Sequence, residues 1–170
     1  MGKQWNGPPR DMQFIFYTPT SGIWQTMWIE PVEEEAVESI EMVPDIDMGR
    51  LRLRVNTSTG KEDDVLVTIM EGEQEVVKMT VAANKHVNIE LGSKFKTWSP
   101  QNPFLYDIKI KLASGDELKS YFGMRKIEMR KVGKFQRIFL NNELLPFQLG
   151  PLDQGYWPDG LLTPPTEEAL

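Results

Sequence analysis

The sequence predicts an all-β fold, an antiparallel β-sandwich of about seven strands. Apolar and polar residues alternate in several segments, and turn-forming residues separate these segments at intervals of about 8 to 12 residues. No segment shows a convincing helical period. The region 37–129 also has the size of one such sandwich, which is about 100 residues.

The segment 50–56 carries the clearest strand pattern. Leu51, Leu53 and Val55 alternate strictly with arginines, so the apolar side chains face a core and the arginines face water. We expect this row of arginines to form a solvated outer face rather than a binding site. The other predicted strands are 64–70, 76–81, 86–91, 104–112 and 117–129.

Turns and chain ends complete the predicted organisation. Glu71–Gln74 supplies one turn, and Ala113–Asp116 supplies a short hairpin connection that contains glycine. Residues 13–31 are predicted to form a strand pair, which is marginally stable without a further sheet. The Gly/Pro-rich segment 152–170 ends in the first turn of a predicted helix, with Thr166 as its N-cap.

Two positions near the end of the sandwich predict close packing. Pro100 and Pro103 fix the backbone after Trp98, so this indole is expected to plug the end of the sandwich. An exposed platform for a sugar ring is the alternative for Trp98. Gly123 predicts a bulge or a close approach of the backbone, and Arg125 is available to donate to a neighbouring domain.

Composition excludes several classes of function. The formal net charge of -6 argues against a nucleic-acid partner, because phosphate binding needs clustered Lys and Arg. No cysteine is present, and His86 is the single histidine, so we expect no metal and no cofactor. No apolar stretch approaches a membrane span, and the first residues lack the core of a signal peptide. Localisation stays open, with a periplasmic or secreted parent protein as one alternative.

Six phrases occur in a fixed order along the chain. They are YTPTSGIWQTMWIEP, PDID, WSPQNPFLYDI, YFGMRKIEM, FLNNELLPFQLGPLDQGYWPDG and PTEEAL, within residues 17–31, 44–47, 98–108, 121–129, 139–160 and 165–170. Together they resemble glycoside hydrolase family 2, which includes β-galactosidases, β-glucuronidases and β-mannosidases. The resemblance covers nearly the whole chain.

The resemblance implies three parts and a function for the longer parent. Residues 1–32 would be the last hairpin of a jelly-roll sugar-binding domain, 33–131 an immunoglobulin-like sandwich, and 132–170 the start of a TIM barrel. The family's two catalytic glutamates lie far along the barrel, beyond Leu170. The chain is therefore expected to be an inactive part of an enzyme that hydrolyses terminal β-glycosides, with the jelly-roll and barrel domains and the carbohydrate substrate as partners.

The resemblance places substrate contacts in one loop. In the family, the loop after the first barrel strand approaches the sugar, and barrel enzymes carry their chemistry at that end of their strands. The matching residues are Asp153, Gln154, Tyr156 and Trp157, which offer groups that hydrogen-bond to hydroxyls and an aromatic face for a sugar ring. The loop departs from the histidine-rich pattern of β-galactosidases, so galactose specificity is not implied.

The carboxylates within the chain have structural interpretations. A retaining glycosidase needs two carboxyl groups about 5 Å apart on a rigid scaffold. Glu33–Glu35 is expected to be a solvated linker, and Asp45 with Asp47 and Asp63 with Asp64 are expected to form turns. His86 is expected at the surface.

Two alternatives stay open. One is a stand-alone β-sandwich module for carbohydrate binding or adhesion, which would use exposed tryptophans such as Trp24 and Trp157 as a sugar platform. The other is a family 2 architecture that has lost catalysis.

Overall fold

The structure, a computed structural model, describes residues 21–23, 25–145, 157 and 162–169. These residues fall into two compact units. One comprises residues 31–145, and the other combines the described residues of 21–30 with 157 and 162–169. Within the described residues, no helix is long and apolar enough to span a membrane.

Seven strands of the first unit form two antiparallel sheets. One sheet has the order β1-β2-β5 and the other the order β4-β3-β6-β7. The predicted all-β sandwich of about seven strands is therefore confirmed. The strands are β1 (Val37–Asp45), β2 (Arg50–Thr57), β3 (Asp64–Glu71), β4 (Gln74–Ala82), β5 (Val87–Glu90), β6 (Tyr106–Leu112) and β7 (Glu117–Phe122).

The core lies between the two sheets and follows the alternation of the sequence. Every second residue of β2 and β6 is buried, as are Val65, Val67 and Ile69 of β3, as the period of two requires. Tyr106 is buried in this core, and its hydroxyl accepts a hydrogen bond from the Lys96 backbone N–H at 2.7 Å. Its ring stacks on Phe122 with 5.5 Å between ring centroids. The buried tyrosine thus has both an apolar and a polar partner.

The arginines of β2 lie on the outer face of its sheet, as predicted. Arg52 is exposed, whereas Arg50 and Arg54 are half-buried. Arg50 donates from Nε to Asp45 Oδ2 at 3.2 Å. The predicted turns are also confirmed, because β3 and β4 join through Gly72 at φ 58° and β6 and β7 join through Gly115 at φ 104°.

The acidic segment before β1 is only partly a solvated linker. Glu33 and Glu34 are exposed, but Glu35 is half-buried. The Glu35 carboxylate accepts from the Thr59 hydroxyl at 3.0 Å, and the Glu35 carbonyl accepts from the Ser114 hydroxyl at 2.8 Å. These bonds tie the segment to two loops of the sandwich.

A third, smaller sheet follows the sandwich. Its strands are β8 (Ile127–Val132), β9 (Phe135–Leu140) and β10 (Glu143–Leu144), in the order β10-β9-β8. The predicted single strand 117–129 is therefore wrong, because Gly123 and the residues after it separate β7 from β8 and the two belong to different sheets. The predicted boundary between residues 131 and 132 falls inside β8, and the division into three parts stays a prediction.

The second unit has little regular structure in its described part. Residues 13–20 and Trp24 of the predicted strand pair lie outside the described residues, and the described remainder of 21–31 carries no strand. At the other end, the predicted helix is a single 3₁₀ turn, Glu167–Ala169. The Ala169 backbone N–H donates to the Thr166 carbonyl at 3.3 Å.

Candidate functional site

The predicted sugar contacts fall mainly outside the part of the chain that the structure describes. Asp153, Gln154 and Tyr156 lie outside the described residues. Trp157 is described and half-buried. The assignment of these four residues to a substrate loop therefore stays a prediction.

Asp45 ends β1 and Asp47 lies in the turn that follows, as predicted, but their carboxylates have different partners. Asp45 Oδ1 accepts from the Met48 backbone N–H at 3.1 Å, which closes the turn between β1 and β2. Asp47 instead binds two side chains of the chain beyond the sandwich. Asp63 and Asp64 are exposed, as is His86, which confirms the surface position predicted for the histidine.

Asp47 connects the sandwich to the third sheet. Its Oδ2 accepts from Lys126 Nζ at 2.6 Å, and its Oδ1 accepts from Asn142 Nδ2 at 2.8 Å. The hydrogen bond from Lys126, followed by that from Asn142, lowers the pKa of Asp47 below its ordinary value of 3.8. The same bond to Asp47 raises the pKa of Lys126 above 10.5. Both groups therefore stay charged at neutral pH.

Two consecutive asparagines form the turn between β9 and β10. Asn141 has φ 51° and Asn142 has φ 69°, so both occupy the left-handed region that a two-residue type I′ hairpin requires. Asparagine tolerates this region better than most residues because its short side chain can hydrogen-bond locally. The turn thereby leaves both amide side chains free to contact the sandwich.

The Asn141 side chain joins three segments. Its Oδ1 accepts from the Lys126 backbone N–H at 3.0 Å, and its Nδ2 donates to the Trp98 carbonyl at 2.8 Å. Its backbone N–H donates to the Lys126 carbonyl at 2.9 Å. We call Asp47, Lys126, Asn141 and Asn142 the joint, because their bonds hold the third sheet on the end of the sandwich.

The joint extends onto β8 through a charged pair. Glu128 lies 3.5 Å from Lys126 Nζ and forms an ion pair with Arg130. Arg130 also donates to Asn142 Oδ1 at 2.5 Å. Each charge in the cluster has an opposite charge or an amide oxygen beside it, which favours one fixed arrangement.

Trp98 packs against the backbone of Gly123. A Cβ atom added to Gly123 would lie 3.0 Å from Trp98 Cβ, so only glycine fits without a shift. This confirms the predicted close approach. The Trp98 backbone N–H donates to the Met124 carbonyl at 3.0 Å, and the Arg125 guanidinium lies 4.8 Å from the ring centroid. Trp98 is half-buried, which favours the structural plug over the sugar platform.

Sequence reasoning missed Lys126, Asn141 and Asn142 as functional residues. The available signal was the Asn-Asn pair between two alternating segments, which is typical of a type I′ hairpin. The partner of Lys126 could not be found in this way, because Asp47 lies 79 residues away in the sequence.

The hydrogen bonds of the joint position the third sheet on the sandwich. The pKa of Asp47 and the pKa of Glu168 are both displaced downward. A general acid of a glycosidase needs a displacement upward. Among the described residues, no group of three or more acidic, histidine or cysteine side chains could hold a metal ion.

The family model for glycosyl hydrolases family 2 matches residues 36–125, which is more than half of the chain. The chain belongs to this family. The matched range ends immediately before Lys126, so of the four residues of the joint the family 2 match contains only Asp47.

The relatives of this family 2 chain are much longer than the chain itself. The beta-galactosidase of Thermoanaerobacter pseudethanolicus is 24% identical over 151 residues, a match that covers 81% of this chain and 20% of the relative. The chain therefore spans about a fifth of the length of its curated relative.

Two solved structures share the fold. The beta-glucuronidase of Ruminococcus gnavus, in complex with uronic isofagomine, is 20% identical with a TM-score of 0.51, and the match covers 66% of this chain and 18% of that enzyme. The beta-D-glucuronidase of Dictyoglomus thermophilum is 16% identical with a TM-score of 0.50, covering 65% of this chain and 18% of that protein. These likenesses support the fold of the family 2 sandwich.

Proposed function

We propose that the chain is a non-catalytic, immunoglobulin-like part of a longer family 2 glycoside hydrolase that acts in carbohydrate metabolism. The proposal rests on the family match over the sandwich. It is supported by the length of the beta-galactosidase relative, of which the chain spans about a fifth. The longer protein would hydrolyse terminal β-glycosides. The sandwich would hold a jelly-roll sugar-binding domain against a TIM-barrel catalytic domain.

The division of the chain belongs to the same proposal. Residues 1–32 would complete the jelly roll, 33–131 would form the sandwich, and 132–170 would lead into the barrel. Asp153, Gln154, Tyr156 and Trp157 would contact the sugar once the barrel is complete.

The structural roles of the described acidic residues support an inactive chain. Asp45 closes a turn, Asp47 holds the joint, and Glu35 fastens the segment before β1. A retaining mechanism needs one carboxylate free to attack and one acid with a raised pKa. These acidic groups instead serve the fold.

Activity assays on two samples test the proposal. The 170-residue chain should give no turnover above background with nitrophenyl β-galactoside, β-glucuronide or β-mannoside, whereas the full-length polypeptide should hydrolyse at least one of them. Turnover by the chain alone would contradict the inactive role. A full-length protein that folds but hydrolyses none of the three would indicate that the architecture was kept and catalysis lost.

One observation favours the stand-alone carbohydrate module. Trp28 is 71% exposed, and an exposed indole can stack on a sugar ring. Glycan-array binding by the 170-residue chain that disappears in Trp28→Ala would support this function. Absence of binding at millimolar ligand would leave the enzyme-fragment proposal as the better one.

A further inference from the structure

The β1-β2-β5 sheet carries a pocket on its outer face, beside the joint. The pocket has a volume of about 220 Å³. Three cations line it, Arg50 and Arg52 of β2 and Lys126 of the joint, and Asn88 of β5 adds an amide group. The end of β1 and the turn after it, residues 43–47, form the rest of the wall. We call this feature the basic pocket.

The strand register places Arg52 between two uncharged side chains. Arg52 pairs with Val43 of β1 on one side and with Asn88 of β5 on the other. Directly paired residues point to the same side of a sheet, with their Cβ atoms about 5 Å apart. The carboxylates of Glu41 and Glu90 lie two residues further along these strands. Among the described residues, neither carboxylate forms a hydrogen bond or an ion pair with Arg52.

The two carboxylates in the pocket wall are already bound to other groups. Asp45 accepts from a backbone N–H of the turn at 3.1 Å and from Arg50 Nε at 3.2 Å. Asp47 accepts hydrogen bonds on both oxygens within the joint, one of them from Lys126. Three cations and two carboxylates leave one positive charge in the wall. Within the described part of the chain, Arg52 is the one of the three cations without a carboxylate partner.

Several N–H donors on this face have no acceptor among the described residues. Arg50 donates to Asp45 through Nε, and its terminal nitrogens bond no described residue. The same holds for the side chains of Arg52 and Asn88. Arg54, the next arginine of the row, has a buried Nε without a partner. Since each guanidinium carries five N–H groups, the outer face of β2 presents more donors than its own sheet satisfies.

We propose that the basic pocket binds an oxyanion, that is, a carboxylate or a phosphate group. The planar guanidinium of Arg52 would hold two oxygens of the anion at once, because its geometry matches both kinds of group. The terminal nitrogens of Arg50 and the amide of Asn88 would donate to the same anion. Every residue of this site lies in the sandwich or the joint, so the inference stands apart from the proposed glycosidase function.

Recognition in the basic pocket must be local, because the chain as a whole is acidic. Its net charge of -6 repels anions on average, so an anion that binds is held by the donors of one site. The sequence predicted a solvated face for the arginines of β2. The alternation of β2 could not indicate the pocket, because the other walls come from Lys126 and residues 43–47.

Titration of the 170-residue chain at neutral pH with inorganic phosphate and, separately, with acetate tests this assignment. NMR follows the Nε–Hε signals of the arginines and the side-chain amide of Asn88, with sodium chloride added to keep the ionic strength constant. The signals of Arg52 and Asn88 should move saturably, with half-saturation at about 1 to 10 mM of at least one anion. The anion with the lower value shows whether the pocket prefers phosphate or a carboxylate. Shifts that stay linear with both anions would overturn the proposal.

Substitution of Arg52 tests whether its guanidinium holds the anion. Arg52→Gln should weaken binding about tenfold or more, and Arg52→Lys, which keeps the charge but not the planar fork, should also weaken it. Lys109→Gln is the matched control, because Lys109 is also exposed and lies on the outer face of the other sheet. It removes the same charge and should change the affinity by less than about twofold. Equal losses for Arg52→Gln and Lys109→Gln would overturn the proposal, since binding would then follow net charge alone.

Asn88→Ala tests the site without any change of charge, and it serves as the second variant if Arg52→Gln fails to fold. Asn88 is exposed, so its truncation should leave the fold intact. The affinity should fall about three- to tenfold, because one donor to the anion is lost. Wild-type affinity in Asn88→Ala would contradict the site, because binding would then not need the donors beside Arg52.

The melting temperature of the full-length polypeptide shows whether the basic pocket stays accessible in the whole protein. A ligand that binds only the folded state raises the melting temperature as its concentration rises. The better of the two anions should therefore raise it more than sodium chloride does at equal ionic strength, and Arg52→Gln should remove the difference. Binding by the 170-residue chain without any such rise in the full-length polypeptide would overturn the pocket as a site of the whole protein.

Discussion

The seven-stranded sandwich and the third sheet are stabilised in different ways. The sandwich encloses a continuous cluster of sixteen buried residues, contributed by both of its sheets and the loops beside them. In the third sheet, every residue of β8, β9 and β10 is half-buried or exposed. One region thus contains its own core, and the other depends on contacts made elsewhere.

This difference shows which region of the chain can fold without further contacts. Burial of apolar surface is the dominant favourable contribution to folding, so the sandwich has what an independent domain needs. A small three-stranded sheet without a covered apolar face is marginal in water. The joint supplies polar contacts in place of a core.

Truncation of matched isoleucines gives the largest expected contrast. Ile110 is fully buried in β6, whereas Ile127 of β8 is 62% exposed. Ile110→Ala should lower the free energy of unfolding by about 2 to 5 kcal/mol, because it removes buried methyl groups and leaves a cavity. Ile127→Ala should change it by less than about 0.5 kcal/mol in the 170-residue chain.

Urea denaturation followed by circular dichroism measures both values. Equal losses for the two variants would contradict the comparison, because they would mean that the third sheet has a core of its own.

The contact between Gly123 and Trp98 should give the next largest effect. Gly123→Ala places a methyl group 3.0 Å from Trp98 Cβ, so the indole or the backbone must move, with a loss of about 1 to 3 kcal/mol. Gly60→Asn is the matched control, since Gly60 has φ 68° and nothing within 4 Å of an added Cβ. Asparagine tolerates that backbone, so the control should be nearly neutral.

Urea denaturation measures the loss of stability, and the wavelength of maximum tryptophan emission reports whether the indole has moved. A neutral Gly123→Ala with unchanged emission would show that Trp98 is not held against this backbone.

The sequence could predict the sandwich because its signals are local. Leu51, Leu53 and Val55 alternate with arginines, and the structure buries all three side chains. Turn residues near Gly72 and Gly115 marked the ends of hairpins correctly. Burial on one face and turn formation both depend on a few consecutive residues, so a short segment is enough to predict a strand or a turn.

The third sheet and the joint could not be predicted in the same way. Segment 117–129 alternates as one strand would, whereas the change of sheet after Gly123 occurs where the chain packs on Trp98, 25 residues earlier. Asp47 looked like a turn residue because its partners, Lys126 and Asn142, are distant in the sequence. The predicted sugar contacts of the loop 153–157 remain predictions.

Removing the Asn141 side chain should loosen the third sheet without unfolding the sandwich. Asn141→Gly keeps the positive φ of 51° and removes the bonds to the Lys126 N–H and the Trp98 carbonyl. The expected loss is about 1 kcal/mol, because two part-buried hydrogen bonds disappear.

Hydrogen exchange measured by mass spectrometry locates this effect. Amides of β8 and β9 should exchange faster in Asn141→Gly, whereas those of β3 and β6 should keep their wild-type rates. The matched control is Asn84→Gly, which also has a positive φ, 61°, but lies in the sandwich and bonds Thr57. If Asn84→Gly loosened β8 and Asn141→Gly did not, the joint would not be the attachment of the third sheet.

The smallest expected effect is the pH dependence of the joint, because Asp47 and Lys126 are both at the surface. The pKa of Asp47 is lowered by its bonds to Lys126 and Asn142, so its contribution is present above 3.8 and is lost as the pH falls below that value toward the folded pKa. The pKa of Lys126 is raised by Asp47, so its contribution is present below 10.5 and is lost as the pH rises through the higher folded value. Exchange of the β8 amides should therefore be slowest, relative to their intrinsic rates, between these limits.

Asp47→Asn should remove the acid limb of this profile, because the amide cannot titrate, and should shift the melting temperature at neutral pH by no more than about 1 to 3 °C. Glu62→Gln removes a surface ion pair with Lys85 far from the joint in sequence and should leave the exchange of β8 unchanged. If β8 exchange still became faster at low pH in Asp47→Asn, the pH dependence would belong to another carboxylate. Glu128, which lies 3.5 Å from Lys126 Nζ, is then the group to substitute next. Asn142 also binds Asp47, so Asn142→Gly should reduce the acid dependence of β8 exchange without abolishing it. The size of that reduction shows how much Asn142 contributes beside Lys126.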